Sequence, residues 1–431
     1  MESSTKLEKV LAFGRKIIPR SIFIFAQPIY HYLLTLVGAI YYRYPARKLK
    51  VIMVTGTKGK STVAEIVNAI LEEAGKETII SNTIRYKIPG RDEPNKFKMT
   101  VQGRWFLQKL LADGLKVGAT HAVIEMTSEG VKQFRHKFLS PDALIFTNLS
   151  PEHIEAHGSY ENYRTAKLKI ARELEHSSKP NKMIVVNGDD KEAEKFLAIK
   201  VPNKLAFNLS HATPWSTTTD GVSLTVEKTK FNSSLPGLFN IYNLLAGIVW
   251  ARHSEIAPEI IARAIKKLNL IRGRMEVVIA SPFRVIVDYA HTADSLAKVY
   301  EVYKKETKIC VLGNAGGGRD KWKRPVMGSI ASQYCEQIIL TNEDPYDEDP
   351  RAIVDDMARG IKKNNYQIII DRREAIRTAL KMVKPGEVII ITGKGTDPYI
   401  MEANNTKTPW DDAEIVRTEF SKLFPNEARE A

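Results

Sequence analysis

The stretch Val51-Ile52-Met53-Val54-Thr55-Gly56-Thr57-Lys58-Gly59-Lys60-Ser61-Thr62 decides the fold. An apolar, β-branched run ends in a turn of Gly, Lys and Ser and passes into a helical pattern, the order expected of a phosphate-binding loop. Gly56 and Gly59 permit a tight turn whose N–H groups face inward. Lys60 can reach outer phosphates, and Ser61 sets a hydroxyl where Mg²⁺ would sit at a helix N-terminus. The glycines stand closer together than in the usual loop of this kind, so a short variant is expected, with Gly56 to Thr62 contacting a nucleotide.

Outward from this loop, the chain reads as alternating strands and helices. Val63, Ile66, Val67, Ile70 and Leu71 recur at helical spacing and stop at Gly75. Short buried strands then deliver Glu125 after Ala122-Val123-Ile124, and Asn148 after Ala143 to Thr147. Ligands of open parallel sheets bind at the C-terminal ends of strands, where Lys60, Glu125 and Asn148 all fall. Residues 85–100 read as a loop and 104–115 as a helix. A Thr/Ser-rich stretch at 203–235 reads as an antiparallel flap. Near Arg272 the alternation restarts, with strands expected at 283–288, 308–312, 337–341, 367–370 and 387–392. Three units follow: an N-terminal helical segment at 1–47, a central nucleotide-binding α/β domain at 48–270 and a Rossmann-like α/β domain at 271–431.

The 431 residues are too many for one ordinary core. Hydrophobic content of 43% with 26% charged residues describes a soluble globular protein. Cys310 and Cys335 form no metal or disulfide pattern, which favours a reducing compartment and a cytoplasmic protein. The net charge is +14, yet residues 1–50 carry nine Lys/Arg against two Glu, or +7, leaving +7 for the rest. The basic excess belongs to the N-terminus, and no nucleic-acid partner is expected. The uncharged segment Ser21–Tyr42 is about 20 residues long, enough to cross a bilayer. Gln27-Pro28 and His31 interrupt it, so a bent helix lying on a membrane surface or packed on the protein body is expected, with peripheral membrane contact through residues 15–48.

Several further clusters suit chemistry at strand ends. His153 and His157 lie four residues apart, on one face if the segment is helical. Glu125 offers hard oxygen for Mg²⁺. Gly273-Arg274-Met275-Glu276 and Asp288-Tyr289-Ala290-His291-Thr292 combine a cation, a carboxylate and an imidazole. Gly313 to Pro325, with Arg319, reads as an anion loop. Glu343, Asp344 and Asp347 form an acidic strand-end loop, and Gly393 to Asp397 closes a neighbouring strand.

Together these motifs resemble the Mur ligase family, from about Lys50 to the C-terminus, and within it most closely the enzymes that add the third amino acid of the peptidoglycan precursor. Gly56-Thr57-Lys58-Gly59-Lys60-Ser61 is similar to that family's own short phosphate loop. The resemblance implies an ATP-dependent amide ligase that turns a muramyl-peptide carboxylate into an acyl phosphate for attack by an amino acid. It implies two Mg²⁺ ions, held by Ser61 and Glu125, by His153, and by Lys167 as a carbamylated oxygen ligand. It makes Lys60, Lys167, His153 and Arg319 the catalytic group, and assigns nucleotide contacts to Asn148, Asn243, Arg274, Asp288 and His291. Acceptor contacts fall to Glu343, Asp344, Tyr346, Gly393 and Asp397. The chain departs from the family where Tyr346 replaces an arginine, and where the basic, apolar N-terminus stands in place of a uridine-nucleotide domain. The first change removes a bidentate clamp and, with the acidic loop, points to a cationic acceptor such as lysine or ornithine. The second permits a lipid-linked donor. Folylpolyglutamate synthase, the ligase half of cyanophycin synthetase and a non-catalytic nucleotide-binding module are the alternatives.

Overall fold

The computed structural model describes residues 20–427 apart from Arg104 and His153, with side chains from Ala26 onward. The opening stretch forms strand β1 (Lys50–Thr55), and every residue after Lys50 is buried. Alternate side chains leave a strand on opposite faces. Val51 and Met53 therefore join one apolar layer, and Ile52 and Val54 the other. The first layer is shared with the helices Phe106–Lys116 and Tyr160–His176, the second with Lys60–Glu73, Leu238–His253 and Pro258–Lys267. Burial on both sides is what a continuous apolar strand demands.

Around β1 lie β2 (Thr78–Ser81), β3 (Arg85–Ile88), β4 (Arg91–Pro94), β5 (His121–Glu125), β6 (Ala143–Phe146), β7 (Met183–Asn187) and β8 (Asn203–Phe207), in the order β4-β3-β2-β5-β1-β6-β7-β8. All neighbours are parallel except at β3, which pairs antiparallel with both β2 and β4. The expected loop at 85–100 is thus largely a hairpin. The flap is the antiparallel set β9 (Trp215–Thr218), β10 (Gly221–Val226) and β11 (Thr229–Ser233), while residues 203–207 extend the main sheet instead.

The second sheet runs β12-β13-β17-β14-β15-β16, from β12 (Glu276–Ile279), β13 (Arg284–Asp288), β14 (Lys308–Leu312), β15 (Gln337–Leu340), β16 (Tyr366–Ile368) and β17 (Val388–Thr392). Only β12 is antiparallel to its neighbour. The helices Arg372–Met382 and Asp412–Leu423 cover one face, joined by the fully buried pair Arg372–Asp412 at 2.7 Å. On the other face Cys310, in β14, is joined to Cys335, at the end of the helix Lys323–Tyr334, by a disulfide. The expectation of unpaired cysteines is corrected: a spacing of 25 residues carries no pattern, yet strand and helix return bring the two Cα atoms to 6.0 Å.

Among the described residues ahead of β1 are the helix Arg20–Tyr41, with Pro28 inside it, and the 3-10 turn Pro45–Lys48. The helix packs near its C-terminal end: Trp105 donates its indole N–H to the Leu34 carbonyl at 2.7 Å and stacks on Tyr41. Gly38 is required there, because an added Cβ would stand 2.5 Å from Trp105 Cδ1. Ile29, Leu33, Val37 and Ile40 face outward and exposed. No helix among the described residues is long and apolar enough to cross a membrane. Residues 15–19 of the expected membrane-contact segment lie outside the described residues.

Candidate active site

The loop after β1 is shaped by Gly56 and by Gly59, whose φ of 81° lies in the left-handed region. A Cβ at Gly59 would stand 2.3 Å from Asn243 Oδ1, so this asparagine lies directly against the turn. The end of β6 braces the loop from the other side. Asn148 accepts the Thr57 N–H through its carbonyl at 2.8 Å and the Lys58 N–H through Oδ1 at 2.9 Å. Thr147 Oγ1 donates back to the Lys58 carbonyl at 2.6 Å. Asn148 thus holds the loop itself.

Lys60 donates to the Thr57 carbonyl at 2.8 Å and lies 4.0 Å from Glu125 Oε1. Burial lowers its pKa, opposed by Glu125. Ser61 Oγ donates to Glu125 Oε2 at 2.8 Å, and the same oxygen accepts the Thr83 N–H at 3.0 Å. A hydroxyl and a carboxylate so placed are hard oxygen donors of the kind Mg²⁺ takes. Among the described residues no three His, Cys, Asp or Glu converge on one point.

The helix Tyr160–His176 turns Lys167 inward, 1% exposed, where its ammonium nitrogen donates to the Gly56 carbonyl at 2.7 Å. Burial, reinforced by Lys60, holds its pKa well below the usual lysine value. Tyr163, one turn earlier, bonds Thr57 Oγ1 at 3.0 Å.

The second sheet closes the cleft. Arg274 lies over the Tyr289 ring at 4.5 Å and reaches Ser61 Oγ at 3.5 Å. Asp288 accepts the N–H groups of Met275 and Ala290 at 2.8 and 2.7 Å, and burial raises its pKa. Glu152 bridges the two sheets' loops, 2.7 Å from Lys58 Nζ and 3.2 Å from His291 Nε2. Burial lowers the His291 pKa. Lys60, Ser61, Glu125, Lys167, Asn243, Arg274, Asp288, His291 and the half-exposed Arg319 all line one cleft of about 1290 Å³.

Two expected groupings differ. His153 lies outside the described residues, and His157 closes a single short turn, Ile154–His157, with Nε2 3.2 Å from Glu129 Oε1 and 3.1 Å from Ser128 Oγ. The acidic strand-end loop is not an open anionic pocket. Asp344 Oδ1 takes Lys394 Nζ at 2.9 Å and the Met401 N–H at 2.8 Å, while Oδ2 takes Lys98 from the first unit. Asp347 points away and accepts the Asn404 N–H. Glu343 lies over Gly393, where a Cβ would stand 2.4 Å from its Oε2. Lys58, Glu152, Tyr163 and Lys98 were not expected in these contacts; each depends on packing between distant segments.

A phosphate loop facing a cation-lined edge of a second sheet is the layout of an enzyme that activates one reactant with ATP and presents it to another. Comparison with known proteins agrees. Residues 54–251 match the Mur ligase middle domain, and 273–395 the Mur ligase glutamate ligase domain. The UDP-N-acetylmuramoyl-L-alanyl-D-glutamate–2,6-diaminopimelate ligase of Aquifex aeolicus is 35% identical, over 86% of this chain and 78% of that protein. The protein of the same name from Bacillus cereus is 33% identical, over 91% and 82%. A solved structure of such a ligase aligns with TM-score 0.61 at 29% identity, over 91% of this chain and 83% of that one. Mycobacterium tuberculosis folylpolyglutamate synthase complexed with ADP shares the fold alone, with TM-score 0.70 at 14% identity, over 85% and 92%. The chain belongs to the Mur ligase family. It is an ATP-dependent ligase that forms acid–amino-acid bonds.

Proposed function

We propose that this ligase adds an amino acid to the terminal carboxylate of a muramyl-peptide precursor of peptidoglycan, in the cytoplasm, through an acyl phosphate. The observation that carries the reading is the contact between Ser61 and Glu125 at the mouth of the phosphate loop, with Lys60 beside it and Lys167 behind it. The loop N–H groups and Lys60 hold and neutralise the phosphates, so that a substrate carboxylate can approach the γ-phosphorus despite like charge. Two Mg²⁺ ions, one at Ser61 and Glu125 and one at Lys167 and His153, would supply further charge neutralisation. Lys167 fits carbamylation because a buried, uncharged amine is the form that reacts with CO₂, giving an anionic oxygen donor. Asn243, Arg274, Asp288 and His291 orient the nucleotide, Arg319 faces the transferred phosphoryl group, and Glu343, Asp344, Tyr346, Gly393 and Asp397 surround the incoming amino acid. The central unit ends near residue 270, where the second begins.

The test is ADP release with UDP-linked and lipid-linked muramyl dipeptides against a panel of amino acids. Release that requires both a muramyl dipeptide and an amino acid supports the reading; release driven only by a folate plus glutamate overturns it.

The exposed stripe Ile29, Leu33, Val37 and Ile40, followed by exposed Arg43, Arg47 and Lys48, fits peripheral contact with an anionic bilayer. Flotation with phosphatidylglycerol vesicles should carry the protein, and Leu33→Ser with Val37→Ser should release it. Equal flotation of both proteins contradicts this.

A further inference from the structure

The ion pairs that cross between the two sheets include one with no part in holding nucleotide. Lys98 sits in the loop after β4, on the first unit, with a left-handed φ of 50°. Its side chain is only 17% exposed and its ammonium lies on Asp344 Oδ2, 3.5 Å from Asp397 Oδ2 and 3.5 Å from the Tyr399 carbonyl. The Tyr346 ring is 5.9 Å away. Lys98 also lines the large cleft, as do Met99 and Thr100 after it. Thr100 Oγ1 bonds Thr83 Oγ1 at 2.7 Å, and Thr83 donates to Glu125 Oε2, so this loop is tied directly to the phosphate end of the site.

The charges around Lys98 balance. Asp344 and Asp397 are met by Lys98 and Lys394, the latter 2.9 Å from Asp344 and 3.6 Å from Asp397. With Lys394 and the Met401 N–H on one oxygen and Lys98 on the other, both oxygens of Asp344 are already engaged by the protein's own donors. One acid nearby does remain open: Glu343, 4% exposed, has Oε2 without a hydrogen-bond partner among the described residues. A bare second ammonium at Glu343 would lie in the field of Lys394 with no carboxylate of its own to offset that charge. An acceptor ending in both a carboxylate and an ammonium meets matched partners, Lys98 for the first and Glu343 or Asp397 for the second.

We infer that Lys98 is a specificity-determining residue that reaches across from the ATP-binding unit, fills the acidic strand-end pocket and selects acceptors with a zwitterionic distal end over simple diamines. This rests on the ligase reading above and replaces the expectation of a lysine- or ornithine-type acceptor.

The experiment compares meso-diaminopimelate, L-lysine and L-ornithine as acceptors for the full chain, by ADP release with a muramyl dipeptide. Wild type should favour diaminopimelate over either diamine by about 100-fold or more in kcat/KM, the scale on which a polar site rejects a mismatched polar group. Lys98→Met should shift that ratio toward the diamines by at least about 10-fold, and Lys98→Arg should restore it. A ratio within one preparation does not depend on how much of the variant has folded. Wild type that uses lysine as well as diaminopimelate, or a Lys98→Met ratio equal to wild type, overturns the inference while leaving the ligase reading intact. Wild type that releases ADP with no acceptor at all overturns both.

Discussion

Lys167 Nζ donates to the carbonyl of Gly56, so a fully buried lysine hangs on the first residue of the phosphate loop. Burial favours its uncharged form. The unfolded chain therefore binds more protons than the folded one below the ordinary lysine pKa, and stability rises with pH toward that value. In CO₂-free buffer Lys167→Met should unfold at a higher temperature than wild type near neutrality. The gap should close as pH approaches 10.5, the ordinary value. Thermal melts across this range check it, and the variant should still have lost turnover.

Gly59 combines a left-handed φ with direct contact against Asn243. Gly59→Ala adds about 1–2 kcal/mol of backbone strain and pushes Asn243 away. ATP affinity should fall by at least about 10-fold on the strain alone. Calorimetric titration reads this, and an unchanged Kd would show that the turn does not carry the nucleotide.

Ser61→Ala removes the hydroxyl that meets Glu125, leaving the loop backbone in place. The Mg²⁺ concentration needed for half-maximal ADP release should rise, while unfolding temperature without ligand stays within a few degrees. A Mg²⁺ dependence equal to wild type would remove Ser61 from the metal site.

The buried pair Arg372–Asp412 ties the helices that cover one face of the second sheet. Arg372→Met strands a buried carboxylate and should cost about 3–5 kcal/mol by denaturant unfolding. The double variant Arg372→Met with Asp412→Leu should recover much of that loss.

Glu129 has its pKa lowered to about 2, chiefly through its hydrogen bond with His157. A depressed carboxylate adds stability above the unfolded value of 4.5 and loses it as pH falls toward 2. Glu129→Gln should flatten the acid side of the stability profile in that window; because Glu129 is half exposed, solvent screening keeps the effect small.

The parts legible in the sequence are those set by local pattern. β1, the helix after it and the strand ends at Glu125 and Asn148 follow from apolar runs, glycines and parallel-sheet logic. The hairpin of β3 and β4 reads as a loop in the sequence because Arg85 to Pro94 is polar and partly exposed, so no apolar period marks it. The Cys310–Cys335 disulfide, the Glu152 bridge and the Lys98 contact join residues 25, 139 and 246 positions apart, and nothing local announces them. The acidic loop at Glu343 to Asp347 illustrates the same limit: its composition reads as an anionic pocket, and only packing shows that lysines already answer it.

Lys60 faces Glu125 across the mouth of the phosphate loop, where the proposed carboxylate activation takes place. The most direct measurement is ADP release by Lys60→Ala with ATP, Mg²⁺, a muramyl dipeptide and an amino acid all present. Turnover should fall by at least about 100-fold, as loss of a positioned charge at a phosphoryl-transfer site does. Turnover at the wild-type rate would contradict the assignment of this loop as the catalytic phosphate site.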